Sequence, residues 1–514
     1  MNNKIKLAVA GAVLASASVA NAGITWDAGE WTVDMNGNVN AFAIMADNED
    51  NNSAQGALTN ANGGNDPDAA SINTGLLPAW LGFTATTRQN NLDTSVTISF
   101  QPGASVTGGL GGGGTEEARQ AFLTFGDKSW GSVKVGKDLG IFGSTAILND
   151  MTLLGVGSQG VVGSAGGTTT TLGRIGTGYL YADWNGQIAY TTPNMNGFSA
   201  TVGVMQPWNA TTSGALSGAS TGTSDEFGYQ GQASYSWTGD LGGKVWAGFF
   251  SQEVTNIGTG NGTDRANAFE GGASVSFGNA NIVAYGYSGE GMGTTALLRD
   301  GYDTVGNARD SDGGYVQGTY VIPTGTKLGV SWGVSNLDTT TAEGGAVDLV
   351  SENEMLTVGA YHPLTKHLNI VAEYSAVEAR NQAGAENDSD IISVGDIVYQ
   401  AVDSLPSNSI TIGNSGANQT WDFSSLQDME VDIIEVISPV GTPYENIHPD
   451  ANMCVEIDDE LMYLDKSSTG LEMVGYGDIP LNMLMIPLPL VYGLSQQSGP
   501  NTVMDSVFSN MFLP

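Results

Sequence analysis

From residue 23 to 394 the chain is written with a period of two. Trp31, Val33, Met35, Gly37, Val39 and Ala41 alternate with Thr32, Asp34, Asn36, Asn38 and Asn40. Successive side chains of a strand point to opposite faces, so this alternation predicts a strand with one apolar and one polar face. A soluble sandwich alternates as well, so one strand decides nothing and the count and spacing carry the argument.

Besides 31–41, the pattern recurs at 79–87, 92–101, 117–126, 131–137, 181–192, 198–206, 227–237, 244–251, 268–277, 280–288, 314–322, 326–335, 353–361 and 368–377. Residues 389–399 supply a sixteenth strand. Phe227, Tyr229, Gly231, Ala233, Tyr235 and Trp237 form the clearest outward row, opposed by Gln230, Gln232, Ser234 and Ser236. Short turns at 88–91, 127–130, 193–197, 238–243, 278–279, 323–325 and 362–367 alternate with long loops at 47–78, 102–116, 138–180, 207–226, 252–267, 289–313, 336–352 and 378–388. Loops that are long at one end only are the mark of an outer-membrane barrel. Trp31, Trp80, Phe100, Trp237 and Trp332 fall near strand ends, where aromatic girdles belong.

Helical spans are excluded, because no stretch reaches the ~20 apolar residues a bilayer requires. Leu481–Leu494 comes nearest and carries Pro487 and Pro489. Only a closed barrel then crosses a membrane. The fold class expected is all-β, a 16-stranded antiparallel transmembrane β-barrel with a C-terminal β-rich extra domain. Residues 1–22 read as a signal peptide: Lys4 and Lys6, the apolar run Leu7–Ala15, then Ala20-Asn21-Ala22 as cleavage site. The expected location is the cell outer membrane of a Gram-negative bacterium.

Composition fits. Glycine accounts for 73 of 514 residues and charged residues for 13%. A wide barrel with a wet interior takes Ser, Thr, Asn and Gly at inward positions. A net charge of −37 excludes a nucleic-acid partner. A single cysteine, Cys454, excludes a disulfide framework.

Three stretches carry a resemblance. Arg119-Gln120-Ala121-Phe122-Leu123-Thr124-Phe125-Gly126 precedes Trp130-Gly131-Ser132-Val133-Lys134-Val135-Gly136-Lys137, and Tyr190-Thr191-Thr192-Pro193-Asn194-Met195-Asn196-Gly197-Phe198 follows. In this order they resemble the Gram-negative general porin family over about 23–394. The resemblance implies a homotrimer that passes small hydrophilic solutes and ions through each barrel. It also implies that the loop 138–180 folds inward and narrows the pore.

On that reading the constriction residues are Arg119, Lys134 and Lys137 on the wall, with Asp138, Asp150 and Arg174 on the loop. Arg119 shares parity with Leu123 and Phe125, which would aim it at lipid. The expectation is therefore Phe122 outward and Arg119 inward, or a local bulge. The sequence departs from the family where Trp80 precedes Leu81-Gly82-Phe83 and where Tyr181-Ala182-Asp183 carries no base. Residues 23–394 hold 13 bases and 36 acids, a net of 13 − 36 = −23. That surplus favours a cation-preferring pore.

Other features carry less. His362 and His367 bracket a turn and His448 lies far off, so no catalytic site is expected and the chain is read as no enzyme. Gly108–Gly114 lacks the Lys-Ser/Thr ending of a phosphate loop. Cofactors are expected to be none. Divalent cations at the acidic outer loops, Asp47, Glu49 and Asp50 or Asp310 and Asp312, would link them to lipopolysaccharide and outer-membrane lipid. The alternative function is a plugged barrel acting as an adhesin or surface-binding protein.

After 395 the chain changes. Residues 396–514 hold 17 acids and one base, Lys466. Gly413-Asn414-Ser415-Gly416-Ala417-Asn418-Gln419-Thr420-Trp421-Asp422-Phe423 resembles a stretch of secreted Bacteroidetes β-rich proteins. Either a natural barrel carries an acidic β-rich domain, or two genes are joined near 393–396, and the join is the favoured reading. A join would remove part of the closing strand and leave the first strand's edge unpaired.

Overall fold

The computed structural model describes residues 24–400 apart from 50–53, 60–67, 105–115, 160–169, 213–219, 260 and 344–347; beyond 400 it describes six short strands. The expected signal peptide therefore lies outside the described residues. The chain divides into two compact units, Met1–Asp403 and Ser404–Pro514.

The first unit is a closed 16-stranded antiparallel barrel. Its strands are β1 (Trp31–Asn48), β2 (Trp80–Gln89), β3 (Leu92–Pro102), β4 (Glu116–Asp127), β5 (Gly131–Leu139), β6 (Trp184–Thr191), β7 (Phe198–Met205) and β8 (Gly228–Trp237). They continue as β9 (Leu241–Ile257), β10 (Gly262–Phe277), β11 (Ala280–Glu290), β12 (Asp310–Val321), β13 (Lys327–Leu337), β14 (Val350–Pro363), β15 (Leu368–Asn381) and β16 (Glu386–Gln400). Each strand pairs with its sequence neighbour, and β16 returns to β1.

The seam is complete. Residues 389–400 of β16 pair with Gly37–Asn48, and below them the short strand Ile24–Ala28 pairs with Trp31–Met35. The unpaired first-strand edge expected from a join is thus absent. The N-terminal segment folds back as a hairpin and satisfies the backbone groups that β16 does not reach.

Two expected outer loops are tight tips. The segments 252–267 and 378–388 are mostly strand extensions: β9 runs to Ile257 and β10 starts at Gly262, while β15 runs to Asn381 and β16 starts at Glu386. They read as loops because their exposed face turns polar; Glu253 stands opposite Arg265, and Glu378 opposite Asp388. Asp310–Gly313, expected in a loop, likewise begins β12.

The outward row of β8 is as expected: Phe227, Tyr229 and Tyr235 are exposed while Gln230 is buried. Trp80 departs from the girdle expectation. It lies on the inward face, and its Nε1 donates to Asn36 Oδ1 at 3.0 Å. The interior also departs from an all-polar lining. Phe42, Ile44, Phe250, Tyr285, Tyr315 and Tyr361 on the wall pack with Phe142, Ile147, Met151 and Tyr179 of the loop 140–183. The inward loop brings its own apolar side chains, so part of the barrel holds a packed core.

The second unit is described through a six-stranded antiparallel sheet in sequence order, from Gln419–Trp421 to Ile479–Pro480.

Candidate pore and constriction

The loop 140–183 enters the barrel after β5, opens with the short helix α1 (Ser144–Asn149), and lies along one side of the wall. Its backbone is held by inward polar side chains. Ile141 and Phe142 N–H both donate to Gln230 Oε1, at 2.7 and 2.9 Å. Gly143 N–H donates to Glu270 Oε2 at 2.8 Å, and Met151 N–H to Gln317 Oε1 at 2.7 Å. Val156 and Gly157 N–H converge on Glu373 Oε2 at 2.7 and 2.9 Å, while Tyr361 donates to Glu373 Oε1 at 2.6 Å. An irregular backbone within a membrane protein must find partners inside the protein. β8, β10, β12 and β15 supply them here.

Sequence reasoning passed over these four anchors. Their signal was present: each is a long polar side chain in an inward slot, Gln230 between outward Tyr229 and Gly231 for example. What they hold could not be read without the loop's path.

Of the six expected constriction residues, three come together on the inner wall. Arg119 is buried, and its Nε lies 2.6 Å from Glu117 Oε2. A bulge puts it there. Ser99 pairs with Gln120 and Gln101 with Glu117, so two residues of β4 face one of β3. The extra residue turns Arg119 off the outward row of Ala121 and Leu123. Phe122 corrects the expectation of an outward ring: it shares the inward face with Gln120 and Thr124. Lys134 Nζ lies 4.9 Å from the Phe122 ring centroid and is ion-paired with Asp138. Gln120 Nε2 donates to Asp138 Oδ1 at 3.0 Å.

The other three lie elsewhere. Lys137 is on the outer face of β5, its Nζ donating to Ala118 O at 2.9 Å. Odd residues of that strand, Val133 and Val135 included, point outward. Asp150 is buried beneath the loop, accepting from Thr152 N–H at 2.9 Å and from Tyr179 OH at 2.9 Å. Arg174 is fully buried and donates to Met355 O at 2.9 Å and Ser331 O at 3.1 Å. Asp150 braces the loop internally and Arg174 fixes it to the wall, so neither projects a field across the lumen.

Both glycines of the stretch 131–136 need their lack of a side chain. Gly131 and Gly136 have φ of 95° and 128°. A Cβ on Gly136 would meet Ala121 O at 2.3 Å. A positive φ and close strand approach together admit only glycine comfortably.

Opposite the loop, the wall stays open to solvent. Thr84, Thr86, Gln120, Thr124 and Lys134 are half-buried on the inward faces of β2, β4 and β5. Among the described residues, no group of three or more His, Cys, Asp or Glu side chains is set to hold a metal ion.

A closed barrel with an inward loop defines an outer-membrane channel. The Gram-negative porin model matches residues 8–382, and the chain belongs to that family. The outer membrane channel DcaP of Acinetobacter baumannii shares its fold at 13% identity and a TM-score of 0.56, over 73% of this chain and 99% of that one. An anion-selective porin from Comamonas acidovorans does so at 15% identity and a TM-score of 0.50, over 72% of this chain and 100% of that one. Among curated proteins none matches by sequence. The protein is accordingly an outer-membrane porin.

Proposed function

We propose that the barrel is a passive diffusion channel for small hydrophilic solutes and ions, with a cation preference. One observation carries it: the inward loop is bonded to β8, β10, β12 and β15, while Thr84, Thr86, Gln120, Thr124 and Lys134 on the inward faces of β2, β4 and β5 keep part of their surface open to solvent. This geometry favours a channel over the plugged adhesin.

The preference follows from how the charges are spent. At the narrowing Arg119 and Lys134 are each paired with a carboxylate, so neither offers a free positive charge. The −23 surplus of residues 23–394 then governs ion entry. The barrel assembles as a homotrimer, and its acidic outer rim meets lipopolysaccharide through divalent cations. The acidic unit after Asp403 is a passenger and takes no part in conduction.

Planar-bilayer recording tests the reading. Expected are open, weakly selective steps whose reversal potential in a salt gradient favours cations. An absence of steps refutes the channel, and a potential of opposite sign refutes the preference.

A further inference from the structure

The inward loop is latched twice by the same arrangement. Glu270 on β10 takes the Gly143 N–H at 2.8 Å and the Tyr285 hydroxyl of β11 at 2.8 Å. Glu373 on β15 takes the N–H of Val156 and Gly157 and the Tyr361 hydroxyl of β14. Both carboxylates are buried. In each latch the tyrosine lies two residues nearer the short turns than the residue paired with the glutamate. Glu270 pairs with Tyr287 and Gly272 with Tyr285, while Glu373 pairs with Gly359 and Val371 with Tyr361.

An inward lysine stands below each tyrosine. Lys327 opens β13 directly opposite Tyr361, with its Nζ 4.4 Å from the ring centroid. Lys244 of β9 pairs with Ser274, four residues nearer the turn than Glu270. Both lysines keep part of their surface open. Among the described residues neither is in direct contact with a carboxylate. The acids that act on them from a distance are the latches: Glu270 on Lys244, and Glu373 with Asp150 on Lys327.

The charges then balance. Glu270 has Lys244; Glu373 and Asp150 have Lys327 and the buried Arg174. The other titratable groups facing the latches are tyrosines: Tyr285, Tyr287 and Tyr315 at Glu270, and Tyr361 at Glu373. A buried carboxylate is costly unless it is compensated, and an opposite charge nearby favours its ionised form.

We propose that Lys244 and Lys327 are positioning residues for the inward loop, keeping Glu270 and Glu373 ionised and so able to accept its N–H groups. Each latch is present while its glutamate is ionised and is lost as pH falls through the glutamate's titration. The lysine moves that loss to lower pH, and removing the lysine moves it higher. This rests on the channel reading and adds what fixes the width of the waist.

Planar-bilayer records of the full chain, taken from neutral to acid pH, test it. Wild-type channels should be steady at neutral pH and flicker on acidification. Lys244→Met and Lys327→Met remove the charge and keep an aliphatic stem. Each should raise the pH of half-maximal flicker by about one unit. Lys244→Arg and Lys327→Arg keep the charge and should keep the wild-type profile. In Glu373→Gln that latch no longer titrates, so adding Lys327→Met should move the midpoint no further. Unmoved midpoints in the Met variants, an equal shift in the Arg variants, or a shift that persists in the Glu373→Gln background would each overturn the proposal. A wild-type chain without steps sinks the channel reading as well, whereas steady steps with lysine-insensitive midpoints sink only the positioning role.

Discussion

Glu373 offers the sharpest test of how the loop is held. Its two oxygens take the N–H of Val156 at 2.7 Å and of Gly157 at 2.9 Å, and the hydroxyl of Tyr361 at 2.6 Å. Glu373→Ala removes three bonds and leaves three buried donors without an acceptor. A hydrogen bond to a charged group contributes about 1.5–3 kcal/mol. Three such bonds sharing one acceptor are not additive, so the expected loss of anchoring is about 4 kcal/mol. That is roughly a thousandfold change in the ratio of docked to released loop, since about 1.4 kcal/mol is tenfold. The strand ladder is untouched, so the barrel should still fold and resist denaturation in unheated detergent. Single-channel records should change from steady to flickering, with a broadened open-state current. Glu373→Gln keeps one acceptor oxygen and should lie between the two. A steady wild-type conductance from a folded Glu373→Ala channel would refute the anchoring argument.

Other outcomes follow from the same geometry. Lys134→Met leaves Asp138 without its cation and should move the reversal potential toward cations, while Asp138→Asn should move it the other way. Asp303, in the outer loop 291–309, is buried, which alone would raise its pKa. Donors from Thr340, Asn307 and the Val305 backbone outweigh this and lower it from 3.8 to about 2. The stabilisation this gives is present above the unfolded pKa near 4 and is lost as pH falls through about 2. Limited proteolysis between pH 5 and 2 should show that loop opening, and Asp303→Asn should flatten the dependence. Gly136→Ala must fit a Cβ 2.3 Å from Ala121 O and should lower thermal stability in a folding assay. Truncation after Asp403 should leave a barrel that folds and conducts, because β16 and the Ile24–Ala28 hairpin already complete the seam.

The sequence determined the barrel itself. Side-chain alternation has a period of two and strand pairing follows it, so local pattern suffices to mark sixteen strands, their inward and outward rows, and the end that carries the long loops. Segments such as 252–267 were not legible, because a strand that rises clear of the apolar band carries polar residues such as Glu253 and Arg265 on its outer face and loses the apolar outward row. Tertiary structure alone decided where the loop's charges lie. Arg174 and Asp150 sit in irregular backbone with no parity to read. Whether they face the lumen or the wall depends on Ser331, Met355 and Tyr179, the first two of them far away in the chain. A single bulge turned Arg119 inward, and ordinary parity turned Lys137 outward. The placing of Arg119, Asp150 and Arg174 thus hangs on contacts that no window of sequence contains.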